Sequence, residues 1–197
     1  VSRSNTAPEG WSKNNLKKIL YKSILSIADE ITVNSFEFKK NLKKNFAIKS
    51  TCIYNPIDKA HVIKKSKDIL KFNFFNNNEL KLINVGRCTD QKNQILILKA
   101  VNYLKKKLPI KLLIAGRGQQ FYKLNSFIKK NNLNKIVKLL DFLSNPYKYM
   151  KRADVVILSS NYEGLPNVLL EAQCLKKIIL STKCPTGPKE ILLNGKA

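Results

Sequence analysis

The chain has 197 residues, 44% of them hydrophobic, enough to bury a core and to form one or two globular domains. Lys and Arg number 37 against 13 Asp and Glu, a formal net charge of +24 that favours nucleic acid, anionic lipid or phosphorylated substrates as partners. No apolar run is long enough to span a bilayer, and the amino end lacks the succession of a secretory leader, so neither class is expected.

In chain order, residues 12–29 read as an amphipathic helix with Leu16, Ile19, Leu20, Ile24, Leu25 and Ile27 broadly on one side. A strand over 30–35, a helix over 36–46 and a strand over 51–55 follow, the last closed by Asn55-Pro56. Residues 59–78 are basic and rich in Asn with weak periodicity, which reads as a linker carrying one short helix. A regular alternation comes next. Strands are expected over 80–85, 110–115, 136–140, 154–158 and 178–181, and helices over 91–106, 119–131, 146–152 and 166–175. Near-continuous apolar strands separated by helices predict an α/β fold with a parallel sheet covered on both faces. Ligands of such sheets bind beyond the carboxyl ends of the strands, where Gly86-Arg87, Gly116-Arg117-Gly118 and the run Ser159 to Glu163 fall.

The four cysteines are widely spaced with no C-x-x-C pair, so neither a zinc site nor a disulfide framework is expected, and a reducing cytoplasm is the simpler home. His61 is the single histidine and lies in the Lys-rich linker, which argues against a histidine-based metal centre or triad. Lys, Asn and Ile are abundant together, as in proteins of AT-rich genomes, so part of the positive charge is compositional. The remainder suffices to draw a protein to an anionic membrane face at about 1 kcal/mol per suitably placed basic residue.

The most informative stretch is Tyr162-Glu163-Gly164-Leu165-Pro166-Asn167-Val168-Leu169-Leu170-Glu171-Ala172. Pro166 suits a first helical turn, and the N–H groups that begin the helix favour an anion such as a diphosphate. Glu163 then precedes the helix and Glu171 lies within it. Spacing alone also fits a surface helix with two solvated carboxylates.

With its flanking Gly-Leu-Pro-Asn, this stretch resembles the E-x7-E element of glycosyltransferase family 4, the group 1 glycosyl transferases of bacterial surface polysaccharides and lipid-linked oligosaccharides. Asn84-Val85-Gly86-Arg87 with Gln91-Lys92-Asn93 resembles the family's strand-end Gly-Arg and downstream Lys. Ser181-Thr182-Lys183-Cys184-Pro185-Thr186-Gly187-Pro188-Lys189-Glu190-Ile191 resembles a segment of its bacterial polysaccharide members, as a rigid turn that is either architectural or in substrate contact.

The resemblance implies a GT-B fold, with a Rossmann-like parallel sheet preceded by the end of a second Rossmann-like domain. Residues 1–57 are then the carboxyl-terminal part of an acceptor domain, 58–79 a linker and 80–197 a donor-binding domain. It implies a retaining hexosyl or N-acetylhexosaminyl transfer from a nucleotide-diphosphate sugar, UDP-sugar above all, to a glycan or polyprenyl-linked acceptor. Arg87, Lys92 and Glu163 would be catalytic, the cations gripping the diphosphate and Glu163 meeting the sugar hydroxyls. Gly86, Gly116, Gly164, Leu165, Pro166, Asn167, Val168 and Glu171 would line the donor, with Glu171 on the ribose. Gly116 also reads as an ordinary turn residue.

No Asp-x-Asp pair occurs, so transfer without a metal or other cofactor is expected. The expected seat is cytoplasmic, peripheral on the inner membrane face, with no nucleic-acid partner. The chain begins at Val1 and lacks the family's glycine-rich acceptor loop and histidine, so it is read as a fragment, inactive alone. Lys176-Lys177 and Lys183 depart from the family pattern and bear on subgroup and acceptor. Two rival readings stand beside this one: a basic nucleic-acid-binding protein, and a non-catalytic GT-B subunit.

Overall fold

A computed structural model describes residues 2–4, 15–75 and 78–196. By compactness the chain divides into two units: Val1–Pro56 with Tyr162–Asn167 and Lys183–Ala197, and Ile57–Asn161 with Val168–Thr182.

The first unit contains a parallel sheet in the order β1 (Ser2–Ser4), β2 (Ile31–Val33), β3 (Thr51–Cys52). Helix α1 (Asn15–Ser26) covers most of the expected 12–29, of which 12–14 lie outside the described residues. It leaves Leu16, Ile19, Leu20 and Ile24 exposed, while Leu25 packs on the core. Helix α2 (Phe36–Phe46) starts where Ser35, in extended conformation, accepts from the Phe38 N–H at 3.2 Å. It ends at Ala47, whose left-handed φ of 55° closes the last turn. Its Phe38 and Leu42 are fully buried with Val33.

The second unit opens with α3 (Lys59–Ser66), capped by Asp58, which accepts from the His61 N–H at 2.8 Å. This is the short helix expected within the basic segment 59–78. Then come β4 (Leu80–Val85), α4 (Gln94–Leu104), β5 (Ile110–Ala115), α5 (Phe121–Lys130), β6 (Val137–Leu140), α6 (Tyr147–Arg152), β7 (Val155–Leu158), α7 (Asn167–Cys174) and β8 (Ile178–Ser181). The five strands form one parallel sheet in the order β6-β5-β4-β7-β8. One face is sealed by Ile97, Leu98 and Val101 of α4 with Leu124 and Ile128 of α5, the other by Met150 of α6 and Ala172 of α7. Both faces are therefore covered, as the continuous apolar strands require.

Strand order reverses between β4 and β7, and such a switch point leaves a crevice at the carboxyl ends of the strands. Asn84, 2% exposed, bridges those two strands by donating Nδ2 to the Ile157 carbonyl at 2.8 Å.

The sequence places 162–167 and 183–197 in the donor-binding domain, whereas compactness groups them with the first unit. The physical ties are side-chain bonds far apart in sequence: Asn55 Nδ2 donates to Asn167 Oδ1 at 2.6 Å, and the Tyr54 hydroxyl donates to Glu190. Glu190 lies on α8 (Pro188–Ile191), the short helix after the Pro185 turn.

Candidate donor site

Gly86 and Arg87 follow β4 and stand beside the switch point; Gly116 follows the neighbouring strand β5. Backbone pairing continues past the strands, with Gly86 N donating to the Ala115 carbonyl at 3.0 Å and Cys88 N to the Arg117 carbonyl at 2.7 Å. A Cβ at Gly116 would lie 1.9 Å from the Gly86 carbonyl oxygen, so the two loops approach as closely as they do because Gly116 carries no side chain. Gly86 itself has room. A Cβ there would meet the Lys92 Cε at 3.7 Å, which shows the aliphatic stem of Lys92 passing over that glycine.

Lys92 lies on a turn rather than in a helix. The sequence places the helix start at Gln91, but α4 begins at Gln94 because Asn93 adopts a left-handed φ of 48°. The turn is braced from the β7 end: Ser159 Oγ donates to the Lys92 carbonyl at 2.7 Å, Asn161 N to the Gln91 carbonyl at 2.8 Å, and Asn161 Nδ2 to the Asp90 carbonyl at 2.8 Å. Gln94, 1% exposed, donates Nε2 to the Arg87 carbonyl at 2.9 Å. The backbone under both cations is thus fixed, while the Arg87 side chain is exposed and Lys92 is half-buried. Ser159, Asn161 and Gln94 carry no recognisable sequence signal for this bracing role.

Helix α7 begins at Asn167, one residue after the expected Pro166, and carries Val168 and Glu171. Val168 packs on the Met150 cluster. Glu171 is half-buried and accepts from the Tyr147 hydroxyl at 3.3 Å. Burial pushes its carboxyl above the ordinary range, and the Tyr147 bond partly offsets that. Tyr147 is itself raised by burial and by the nearby Glu171, and His61 of α3 meets its ring edge-on at 6.2 Å. The sequence places Tyr147 only in the short helix expected over 146–152. At the tips of β5 and β6, Arg117 Nη2 donates to Asp141 Oδ2 at 2.6 Å, which holds the Asp141 carboxyl below its usual value.

The remaining expected residues, Glu163, Gly164, Leu165, Pro166 and Asn167, belong to the first unit. The first four are buried, Glu163 to 5% exposure, and Asn167 is exposed. Glu163 and Glu171 thus fall in different units, eight residues apart in the chain. Among the described residues no three His, Cys, Asp or Glu side chains gather as metal ligands, and no helix is long and apolar enough to cross a membrane.

The family model for glycosyl transferases group 1 matches residues 65–197. The uncharacterised glycosyltransferase MJ1059 of Methanocaldococcus jannaschii is 34% identical over 95% of this chain and 48% of its own length. An N-acetylgalactosamine-N,N'-diacetylbacillosaminyl-diphospho-undecaprenol 4-alpha-N-acetylgalactosaminyltransferase of Campylobacter jejuni is 32% identical over 97% of the chain and 52% of its own. The chain spans about half the length of these curated relatives. Among solved structures, Anabaena HepE in complex with UDP and glucose aligns with a TM-score of 0.75 at 20% identity, covering 90% of this chain and 50% of that one. TarM aligns with a TM-score of 0.76 at 17% identity, covering 95% and 37%. These likenesses show the fold to be of the GT-B type, and with the family match they establish that the chain belongs to the glycosyl transferases group 1.

Proposed function

We propose that this chain is the donor-binding part of a retaining, metal-independent transferase that moves a sugar from a nucleotide diphosphate to a glycan or polyprenyl-linked acceptor in surface polysaccharide assembly. The observation that carries the proposal is the braced pair Arg87 and Lys92 beside the β4/β7 switch point, on the same sheet that α7 covers with Glu171. As the glycosidic bond breaks, negative charge grows on the departing diphosphate. Fixed cations aimed at that charge lower the barrier, and loops held by Gln94 and Ser159 need no reorganisation to do so. Glu171, short of hydrogen bonds and desolvated, is suited to accept from a ribose hydroxyl. Glu163 would meet the sugar. Transfer on one face, with the departing phosphate taking the acceptor proton, needs no carboxylate nucleophile.

The Campylobacter relative named above supports an N-acetylhexosamine donor and a polyprenyl-diphosphate acceptor. Calorimetry of the intact protein against UDP-, GDP- and ADP-sugars, repeated with Glu171→Ala, tests the reading. Binding of one nucleotide class that is lost in the variant is expected. Unchanged binding in Glu171→Ala would remove the ribose role, and no binding of any donor would remove the proposal.

A further inference from the structure

Glu163 and the three residues after it form a buried loop, so the direction of the Glu163 carboxylate is set by how its backbone is held. Two segments of the first unit hold it. Thr186, 1% exposed, donates its hydroxyl hydrogen to the Glu163 carbonyl. Gly187 lies against the next peptide: a Cβ there would fall 2.1 Å from the Gly164 carbonyl oxygen and 2.8 Å from Pro166 Cδ, and its φ of +85° is one that other residues rarely adopt. From the end of β3, Asn55 donates Nδ2 to the Leu165 carbonyl at 3.4 Å and to Asn167 Oδ1 at 2.6 Å. Three successive carbonyls, of Glu163, Gly164 and Leu165, therefore each meet a side chain or a glycine surface from elsewhere in the unit.

We infer that Thr186, Gly187 and Asn55 are positioning residues for Glu163 and thereby set the choice of donor sugar; this rests on the proposal that Glu163 meets the sugar hydroxyls. Telling one hydroxyl epimer from another needs a carboxylate held to within about 0.5 Å, which a buried, externally clamped loop supplies. The Cys184-Pro185-Thr186-Gly187-Pro188 turn then acts as the mould of the sugar-facing loop and has no need to touch substrate. Without the Thr186 hydroxyl the Glu163 carbonyl loses a buried donor, and the loop is free to shift.

The test uses the intact protein with Thr186→Val, Thr186→Ser and Glu163→Gln, titrated calorimetrically with UDP, UDP-N-acetylgalactosamine and UDP-N-acetylglucosamine. The unsubstituted protein is expected to prefer one of the two 4-epimers. Thr186→Val should shrink that preference by at least about threefold while UDP affinity stays within about twofold, Thr186→Ser should restore it, and Glu163→Gln should abolish it. If Glu163→Gln abolishes the preference and Thr186→Val keeps it, the positioning role is overturned while the donor reading stands. A Glu163→Gln variant with full preference, or an unsubstituted protein that treats both epimers alike, overturns the role of Glu163 and this inference with it. Parallel loss of UDP and both sugars in Thr186→Val marks a general structural role and overturns the inference too.

Discussion

The Tyr147 hydroxyl donates to the Glu171 carboxylate at 3.3 Å, and this is the bond that opposes the effect of burial on that acid. Glu171 titrates in the folded protein above its ordinary value of 4.5, so folding favours the protonated form. Its contribution to stability is complete below the unfolded value and is lost as pH rises through the raised folded value, above which the buried charge opposes folding. Glu171→Gln should therefore raise the melting temperature at neutral pH, by a gain on the order of 1 kcal/mol, and the gain should vanish in acid. Tyr147→Phe should push the Glu171 carboxyl still higher and lower stability at neutral pH. A melting series of both variants against pH checks the sign. Glu171→Gln that gains most in acid would refute the assignment.

Gly86 and Gly116 look alike in sequence, each ending a strand, and the structure separates them. A side chain at Gly116 collides with the Gly86 carbonyl, at a φ of +152°, whereas one at Gly86 makes ordinary contact with Lys92. Gly116→Ala should cost about 3 kcal/mol or more, and Gly86→Ala less than about 1 kcal/mol, read as denaturation midpoints of the isolated variants. Because the added methyl would touch the Lys92 stem at ordinary contact distance, any effect of Gly86→Ala should instead fall on nucleotide affinity.

Much of the five-stranded sheet could be read from the chain. The strands at 80–85, 110–115 and 178–181 and the helix at 36–46 agree with the structure residue for residue, because apolar runs and the Ser35 cap are local signals. The start of α4 could not be read, since the left-handed Asn93 breaks a pattern that Gln91-Lys92 otherwise continues. Asn residues tolerate that conformation but do not announce it. The short β1 carries too few residues for periodicity to reveal it. The partners Tyr147–Glu171, Thr186–Glu163 and Asn55–Asn167 are joined across 24, 23 and 112 residues, so topology alone brings them together. For the same reason the family resemblance named Arg87 and Lys92 as candidates, but nothing local in the chain pointed to Gln94 and Ser159, which hold their backbone.

The two cations should separate cleanly from stability. Arg87 is exposed and Lys92 half-buried on a turn braced through backbone carbonyls, so Arg87→Ala and Lys92→Ala should leave the melting temperature within about 1 °C. Hydrogen bonds to charged groups contribute about 1.5–3 kcal/mol, so each change should lower the transfer rate of the intact enzyme roughly ten- to hundredfold. Steady-state rates with and without EDTA complete the comparison. Full activity in EDTA is expected, and activity restored only by magnesium would mean that a metal shares the diphosphate.

Glu190 offers a test of the first unit by itself. Its carboxylate accepts from Phe36 N at 3.0 Å and Glu37 N at 3.1 Å, and Ser35 accepts from Phe38 N, so the first three N–H groups of α2 are satisfied by side chains. A negative charge at that end also suits the helix dipole. Glu190→Ala should therefore destabilise the unit by about 1–2 kcal/mol, more than Glu190→Gln, which keeps an acceptor and loses the charge. The same carboxylate accepts from Tyr54 and pushes that phenol up to about 12. Since the folded value is raised, the stability this bond supplies is whole below the ordinary phenol value of 10.0 and fades as pH climbs through the folded one. Alkaline ultraviolet titration should show a late-ionising tyrosine that disappears in Tyr54→Phe and moves to lower pH in Glu190→Gln. If Glu190→Gln left the late component where it was, the bond from Tyr54 would not be its cause.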